Sequence, residues 1–370
     1  MDPVAEHQQA ESPARTHLSQ IPGFTWTPFE RDDLPEVADF YATVESFDRN
    51  PERTSLADLQ DFWDSPRSVP EEDTLVARDQ SGRVVATAWS GCNRSVTDVR
   101  EVFLGGAVHP GLRGRGIGRL VLEWELAHGR AWHQTSRQEG FGPLRMRLLA
   151  PVDQDDIRDL ATRAGLAVAR YYFEMERPLT DIPNRDRPEG ILITPWDPDL
   201  ADEAREVRNQ AFRDHWGHTD ASPQMWADRL AATAFRPEWS LLARDADTLA
   251  VVGVAMNCAY EQDWSDDHRQ GYTDELGVLR DYRGRGVARA LLVESMHLFT
   301  SAGMDAAALG VDTENPSGAL GLYEGLGYRR RASTCIHELQ ECAGASRFTR
   351  WCPSPARAAH VPGSPATPAR

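Results

Sequence analysis

The chain has 370 residues, 41% of them hydrophobic and 26% charged, which is enough for a core in each of two domains. Its 40 basic and 57 acidic residues give a net charge of −17. An acidic surface repels nucleic-acid phosphates and anionic lipids, so we expect neither nucleic acid nor a membrane as a partner.

Residue usage excludes several further classes of protein. All 40 Lys and Arg positions are arginine, a usage typical of a GC-rich genome, and this excludes a lysine Schiff base and a P-loop lysine. The five cysteines form no CxxC pair, so we predict reduced cysteines and no metal site. The first residues lack the apolar core of a signal peptide, and no apolar run is long enough to span a bilayer. We therefore expect a cytoplasmic protein.

Segments rich in proline and small or charged residues divide the chain. They predict disordered tails at residues 1–22 and 343–370 and a linker at residues 179–189. The two remaining stretches, residues 23–178 and 190–342, are each close to the common size of a domain.

The two stretches contain an internal repeat. Arg113-Gly-Arg-Gly-Ile-Gly118 recurs 170 positions later as Arg283-Gly-Arg-Gly-Val-Ala288. Ala164-Gly165-Leu166 matches Leu326-Gly327-Tyr328 once the first copy is allowed eight extra residues. Both copies are therefore predicted to share one fold.

The second copy gives the clearer succession of elements. Hydrophobic periodicity predicts, in chain order, a strand in GILITPWDP, a helix in LADEAREVRNQAFRDHWG, and a helix from Pro223 capped by Ser222. It then predicts strands in WSLLARD, LAVVGVAMNCAY and YTDELGVL, a helix from Gly284 to Ser301, a strand in DAAALGVD, a helix from Ser317 to Leu326, and a last strand in YRRRASTCIHEL. The order β-α-α-β-β-β-α-β-α-β predicts a mixed α/β sheet with helices on both faces.

The repeated arginine–glycine segment joins a strand directly to a helix. Glycine permits a tight turn, and the first N–H groups of the following helix have no partner within the helix. These groups converge at the positive end of the helix dipole, so the segment predicts a site for an anion such as a pyrophosphate.

Two motifs of the second copy together resemble the GNAT acetyltransferase superfamily. Arg283, Gly286 and Ala288 occupy the fixed positions of a Q/R-x-x-G-x-G/A loop. Asn315 and the segment Ala319–Tyr328, which contains Tyr323, match a second motif, N…A-x-x-L-Y-E-x-x-G-F. The resemblance covers roughly residues 190–340. It implies an α/β fold of two tandem GNAT domains, each a mixed, mostly antiparallel central sheet flanked by helices.

The resemblance also implies acetyl-CoA as the cofactor. In the second copy it would contact Val278, Leu279, Arg283, Gly284, Arg285, Gly286, Val287, Ala288 and Asn315. In the first copy the corresponding residues are Val108, Arg113, Gly114, Arg115, Gly116, Ile117 and Gly118.

The first copy departs from the second motif, because Ala161 stands opposite Tyr323. We therefore expect residues 23–178 to be catalytically degenerate and residues 190–342 to carry the reaction. This arrangement resembles the tandem architecture of the mycothiol synthases.

The resemblance assigns the chemistry to three kinds of group. A backbone N–H near Val278 or Leu279 would polarise the acyl carbonyl, and Tyr323 would protonate the leaving thiolate. The base would be a carboxylate on the same strand. Alternation favours Asp274, whereas a bulge would turn Glu275 inward, and positioning with water alone is a further alternative.

The acceptor is the least constrained part of the prediction. His215, Trp216 and His218 follow the first predicted helix of the second copy, where they would line an acceptor pocket or simply pack against the fold. We expect an N-acetyltransferase, monomeric or dimeric, that acts on a primary amine of a small molecule such as an amino sugar, an antibiotic or a thiol-cofactor precursor. The alternatives are acetylation of a protein or peptide, and a non-catalytic acyl-CoA binding module.

Overall fold

The computed structural model describes residue 18 and residues 21–341, except residues 51, 186–187 and 316. The tail predicted at residues 343–370 and nearly all of the one at residues 1–22 lie outside this part of the chain, as do Cys342 and Cys352. The three cysteines within it are buried and form no disulfide with one another. None of the helices within the described residues is both long and apolar enough to cross a membrane.

Within the described residues, thirteen strands form one continuous sheet. The first seven are β1 (Phe24–Thr27), β2 (Thr74–Asp79), β3 (Val84–Cys92), β4 (Arg100–Leu104), β5 (Ala107–Val108), β6 (Leu144–Pro151) and β7 (Ala167–Pro178). The others are β8 (Ile191–Pro195), β9 (Leu241–Asp245), β10 (Val251–Cys258), β11 (Gln270–Val278), β12 (Ala306–Asp312) and β13 (Arg329–Glu341). We call residues 21–178 the first half and residues 188–341 the second half.

Helices accompany the strands of each half. Those of the first half are α1 (Leu34–Asp48), α2 (Leu56–Asp64), α3 (Pro70–Asp73), α4 (Ile117–Ser136) and α5 (Asp155–Arg163). Those of the second half are α6 (Ala201–Phe212), α7 (Pro223–Ala231), α8 (Val287–Ser301) and α9 (Ala319–Gly325). The predicted order of elements in the second half is confirmed, including the cap of α7, where the Met225 amide donates to the Ser222 hydroxyl at 3.2 Å.

The halves exchange their last strands. The order across the sheet is β1-β2-β3-β4-β6-β13-β7-β12-β11-β10-β9-β8, with β5 paired to β3 outside this path. Strand β7 of the first half pairs antiparallel with β12 of the second, and β13 of the second half pairs antiparallel with β6 of the first. Each half therefore completes the sheet of the other.

The parallel strand pairs create a gap in each half. Only β4–β6 and β11–β12 are parallel among the described pairs, and the remaining pairs are antiparallel. The pairing of β11 with β12 ends at Thr273↔Leu309, and that of β4 with β6 ends at Leu104↔Leu148. Beyond these residues the strands part, which opens the sheet next to each arginine–glycine segment. The mixed, mostly antiparallel sheet and flanking helices confirm the predicted fold class.

Candidate active site

The arginine–glycine segments have the same backbone conformation in both halves. Gly284 and Gly286 have φ values of 72° and 83°, and Gly114 and Gly116 have φ values of 75° and 81°. This left-handed region disfavours residues with a side chain, so the sequence needs glycine there. Helices α8 and α4 begin directly afterwards, and neither has a side-chain cap on its first amides. Those amides can accept an anion, so the segment fits a pyrophosphate.

The first arginine of each segment holds the loop in place. Arg283 Nε donates to the Val278 carbonyl at 3.1 Å, and Arg113 Nε makes the same bond to Val108 at 3.2 Å. Arg283 Nη2 also donates to the carbonyl of Ala211 at 2.7 Å. These guanidinium groups therefore shape the anion site, which leaves the backbone amides as its principal donors.

Other predicted contact residues also shape the backbone near the loop. Arg285 Nη2 donates to the Glu189 carbonyl at 3.1 Å. The Asn315 side-chain oxygen accepts a bond from the Ser317 amide at 2.9 Å, in the turn before α9. Both contacts stabilise the chain segments that border the gap between β11 and β12.

Of the two amides predicted to polarise a carbonyl, those of Val278 and Leu279, only the Leu279 amide is hydrogen-bonded to β10. The Leu279 amide donates to the Val252 carbonyl at 2.9 Å, so it points toward β10. Successive amides of a strand point in opposite directions, and the Val278 amide therefore points away from β10, toward the gap. A donor in this position can stabilise negative charge on a carbonyl oxygen.

Tyr323 lies on α9 with only 7% of its surface exposed. It packs in one core cluster with Met175, Leu309 and Tyr328, and its ring centroid lies 6.1 Å from that of Tyr328. Burial raises the pKa of Tyr323 to about 12. The phenol is thus protonated at neutral pH and is available as a proton donor.

The two carboxylates predicted on β11 have different surroundings. The register of β11 against β10 shifts between Thr273 and Glu275, so that Asp274 is the extra residue of a bulge. Glu275 is buried and forms an ion pair with Arg208 at 3.1 Å and another with Arg229. Asp274 keeps 30% of its side chain exposed, and its Oδ2 lies 3.5 Å from the Arg229 guanidinium.

The pKa of Asp274 is raised. Burial is the main cause, and the neighbouring Glu275 carboxylate acts in the same direction, whereas the Arg229 guanidinium opposes the shift. Since Asp274 borders a cavity and Glu275 is already paired with two arginines, Asp274 is the more accessible of the two carboxylates to an incoming amine.

A cavity of about 400 Å³ lies next to Asp274, where residues of the two halves meet. Its walls include Tyr260, Tyr272 and Asp274 from the second half and Glu174 from the first. No motif in the sequence indicates Glu174, because its position depends on the exchange of β7 into the other half. The alternation of side chains along β7 could have shown only that it faces the same way as Glu176.

The first half contains a larger cavity of about 1150 Å³. Its lining includes the Arg113–Gly118 segment, the parting strands β4 and β6, and the side chains of Trp89 and Glu125. Glu125 is buried and accepts a hydrogen bond from the Trp89 amide at 3.1 Å. Burial raises the pKa of Glu125 to about 8, so this carboxyl group is largely neutral at pH 7.

The loop after α6 contacts the first half. The guanidinium carbons of Arg147 and Arg170 lie 4.5 and 5.4 Å from the centroid of the Trp216 ring. The His215 ring lies 4.5 Å from that of Phe212, and burial lowers the pKa of His215. His218 Nε2 lies 2.9 Å from Asp220. Each of the three predicted acceptor residues thus has protein partners, and their role in binding an acceptor stays a prediction.

One group of potential metal ligands occurs within the described residues. Asp73, Cys92 and His128 bring their ligand atoms within 4.8 Å of one another in the first half. The Asp73 carboxylate already accepts bonds from Arg94 at 2.5 Å and is 2.9 Å from His128. These bonds account for the burial of the carboxylate without a metal ion.

Comparison with known proteins agrees with this geometry. Residues 201–328 match the acetyltransferase (GNAT) family. A mycothiol acetyltransferase of Thermobispora bispora is 33% identical over 225 residues, which are 60% of this chain and 71% of the relative. The chain belongs to the GNAT acetyltransferase family.

A second GNAT relative matches over a longer stretch. The mycothiol acetyltransferase of Clavibacter michiganensis subsp. michiganensis is 30% identical over 260 residues, which are 70% of this chain and 77% of the relative. These relatives and the family match make the protein an acetyltransferase.

Solved structures share the fold at lower identity. A GCN5-related N-acetyltransferase from Sphaerobacter thermophilus has a TM-score of 0.68 at 22% identity and covers 88% of this chain and 98% of its own. A tandem GNAT protein from the clavulanic acid biosynthesis pathway has a TM-score of 0.62 at 17% identity, with 88% of this chain and 100% of its own covered. At these identities the two structures support the fold alone.

Proposed function

We propose that the protein transfers acetyl from acetyl-CoA to a primary amine of a small molecule, by direct attack in a ternary complex. The observation that carries this proposal is that β11, β12 and the elements that follow them carry three features beside the gap between these strands. They are the anion-binding segment at Gly284–Gly286, the protonated phenol of Tyr323, and the cavity beside Asp274.

The residues of the second half divide the work of binding. The first amides of α8 would hold the pyrophosphate, with Arg283 keeping the loop in shape. The Val278 amide would hold the thioester carbonyl and stabilise the charge that develops on its oxygen. Bound acetyl-CoA would supply an acyl carbon open to nucleophilic attack.

Proton transfer completes the reaction. A carboxylate in the cavity would accept a proton from the acceptor nitrogen, and Tyr323 would donate its proton to the leaving thiolate. Tyr323 carries the proton that this role requires, because its raised pKa keeps the phenol protonated at neutral pH. The first half, with alanine at position 161, would bind acyl-CoA or support the sheet without catalysing transfer.

The cavity supports a small cationic acceptor. Its volume of about 400 Å³ suits a molecule smaller than a peptide segment, and six of its lining side chains are Asp or Glu against two Arg. Such a balance attracts an ammonium group. The names of the relatives favour a thiol-cofactor precursor among the small amines.

An acceptor panel tests the proposal. The protein is incubated with acetyl-CoA and each of several amino sugars, aminoglycosides, cysteinyl amines and a basic peptide, with free thiol release and product mass followed together. We expect acetylation of a small amine at its nitrogen. Acetylation of the peptide alone would support a protein acetyltransferase, and acetyl-CoA binding without transfer to any amine would support a binding module.

A further inference from the structure

Glu174 lies where strand β7 enters the second half. In the register of β7 against β12 it stands opposite Gly310, the first residue of β12 beyond the last β11–β12 pair, Thr273↔Leu309. The carboxylate of Glu174 is therefore contributed by the first half to the point where the strands of the second half part.

The packing around Glu174 leaves room for its carboxylate. Glu174 Oε2 accepts a hydrogen bond from the Tyr272 hydroxyl at 3.0 Å. A Cβ added to Gly310 would lie 3.0 Å from that hydroxyl and 3.2 Å from Glu174 Oε1, so a larger residue would crowd the pair. Within the described part of the chain, Oε1 accepts no hydrogen bond, and neither oxygen has an arginine or histidine within 4.0 Å. That oxygen is available to a ligand in the cavity.

The other carboxylates on β7 and β11 are already engaged. Glu275 is paired with Arg208 and Arg229, and Asp274 lies 3.5 Å from Arg229 and accepts a bond from Tyr260 at 3.3 Å. Glu176 accepts a hydrogen bond from Arg331 at 3.0 Å and lies 3.0 Å from His268. These contacts occupy the carboxylates, so an incoming amine reaches them less readily than Glu174 Oε1.

Glu174 and Tyr323 occupy opposite faces of the sheet. Along β7 the side chain of Met175 packs in the core cluster that contains Tyr323, so alternation places its neighbours Glu174 and Glu176 on the other face. A base and an acid on opposite sides of the gap suit direct transfer, because the nitrogen attacks the acyl carbon from one side while the sulfur leaves from another.

We propose that Glu174, on strand β7 of the first half, is the general base for the acetyl transfer that takes place in the second half. This assignment rests on the proposed function. Glu174 accepts one proton from the acceptor ammonium, and the lone pair of the resulting amine forms the N–C bond. Tyr323 donates its proton to sulfur as the C–S bond breaks. The nitrogen then gives up its second proton, which returns through solvent to the Tyr323 phenolate, and Glu174 passes its own proton to water. One amide, one thiol and one free proton result.

The surroundings of Glu174 give it a suitable pKa. Burial is the main cause that raises the pKa of Glu174 to about 7, and the Glu52 and Asp263 carboxylates add to it. The Tyr272 hydrogen bond and the Arg331 charge oppose the shift. The remaining charged groups that line the cavity are Arg53, Asp58, Glu176 and Asp274. A base with this pKa is mostly available just above neutral pH.

The test compares Glu174→Gln with Glu206→Gln, which removes an exposed carboxylate of α6 outside the cavity, in the full chain and with the best acceptor from the panel. Glutamine can still accept the Tyr272 hydrogen bond, so the substitution removes the base and keeps the contact. We expect Glu174→Gln to lower kcat about 10²-fold or more and to remove the acidic limb near pH 7 from the kcat/KM profile. Glu206→Gln should keep both within a few-fold, and Glu174→Asp should lose less than Glu174→Gln.

Thermal unfolding supplies a readout without catalysis. A carboxyl whose folded pKa is raised costs stability as the pH rises from its unfolded pKa to its folded one. The melting temperature of Glu174→Gln relative to wild type should therefore rise from pH 5 to pH 7 and level off above about pH 7. Glu206→Gln serves as the control for net charge.

The outcomes separate the two proposals. A wild-type protein that acetylates no amine overturns the proposed function and the base with it. An active wild type whose Glu174→Gln variant keeps its kcat and its acidic limb overturns the base alone. The same holds if Asp274→Asn, and not Glu174→Gln, removes the limb.

Discussion

Tyr323 and Ala161 occupy equivalent positions at the ends of two short helices. The Tyr323 carbonyl accepts a hydrogen bond from the Tyr328 amide at 3.0 Å, and the Ala161 carbonyl accepts the same bond from Leu166 at 3.0 Å. Gly327 and Gly165, both with a φ of 89°, follow in each half. The geometry therefore supports the alignment of the two copies, and the halves differ at this point by a phenol.

Tyr323→Phe tests the phenol as the acid. Because phenylalanine keeps the packing and removes only the hydroxyl, we expect kcat to fall about 10²-fold or more with acetyl-CoA affinity nearly unchanged. The measurement is steady-state kinetics together with calorimetric titration of acetyl-CoA. Tyr328→Phe is the matched control, since the buried Tyr328 hydroxyl has no hydrogen-bond partner within the described residues. Equal kcat values for the two variants would contradict the role of Tyr323.

Gly286→Glu and Gly116→Glu test the division of labour between the halves. A glutamate at either position is strained by the left-handed backbone and repels a pyrophosphate from the helix amides. We expect Gly286→Glu to abolish turnover and Gly116→Glu to leave at least part of it. Circular dichroism and melting curves check that both variants fold.

The reverse pattern, with turnover lost only in Gly116→Glu, would assign catalysis to the first half. Calorimetry on the same two variants counts the acetyl-CoA sites. One site lost in each variant indicates that both segments bind the coenzyme.

Glu275→Gln tests whether the buried ion pairs of Glu275 serve stability. Removing the charge leaves Arg208 without its carboxylate and Arg229 with only Asp274 at 3.5 Å, so we expect a loss of roughly 2–4 kcal/mol in the free energy of unfolding. The value is at the lower end for a buried pair because the Arg229 side chain is 40% exposed. Urea titration measures this loss of unfolding free energy. The control is Glu206→Gln, because Glu206 is an exposed carboxylate paired with Arg205.

An unchanged unfolding free energy in Glu275→Gln, with kcat lowered, would instead make Glu275 part of the chemistry. We expect kcat at 25 °C to stay within a few-fold of wild type once the variant is shown to be folded.

The sequence predicted the elements better than their partners. Periodicity located β13 as a strand and the internal repeat implied its counterpart β7, but the partners of a strand depend on contacts between residues distant in the chain. The exchange of β7 and β13 therefore had no local signal, although it forms the wall that contains Glu174. The arginine–glycine segment was predictable, because its conformation depends on glycine within a few residues of sequence.

The surroundings of the β11 carboxylates were also only partly predictable from the sequence. Alternation along the strand placed Asp274 toward the gap, and the possibility of a bulge was visible only as an alternative. The bulge at Asp274 and the pairing of Glu275 with Arg208 and Arg229 both depend on β10 and on helices α6 and α7. Glu125 was missed for a related reason, since a single Glu within an apolar helix pattern gives no indication of its burial.

Glu125→Gln tests the buried carboxyl in the cavity of the first half. Its folded pKa of about 8 lies above the ordinary value of 4.5, so the folded protein binds a proton that the unfolded chain has released. The stability of the wild type therefore falls as the pH rises from about 4.5 to about 8 and is flat above that range. Glutamine carries no charge and can accept the Trp89 amide bond, so Glu125→Gln avoids this loss.

The expected result is equal stability of Glu125→Gln and wild type near pH 4.5, and a growing advantage for the variant up to about pH 8. A pKa shift from 4.5 to about 8 changes the free energy of unfolding by at most roughly 5 kcal/mol, and relaxation of the protein around the charge reduces this change. The measurement is urea unfolding at several pH values. Glu123→Gln, which removes an exposed carboxylate from the same helix, controls for net charge. Parallel pH dependence in Glu125→Gln and wild type would mean that Glu125 titrates as an ordinary carboxyl, with the cavity open to water at that point.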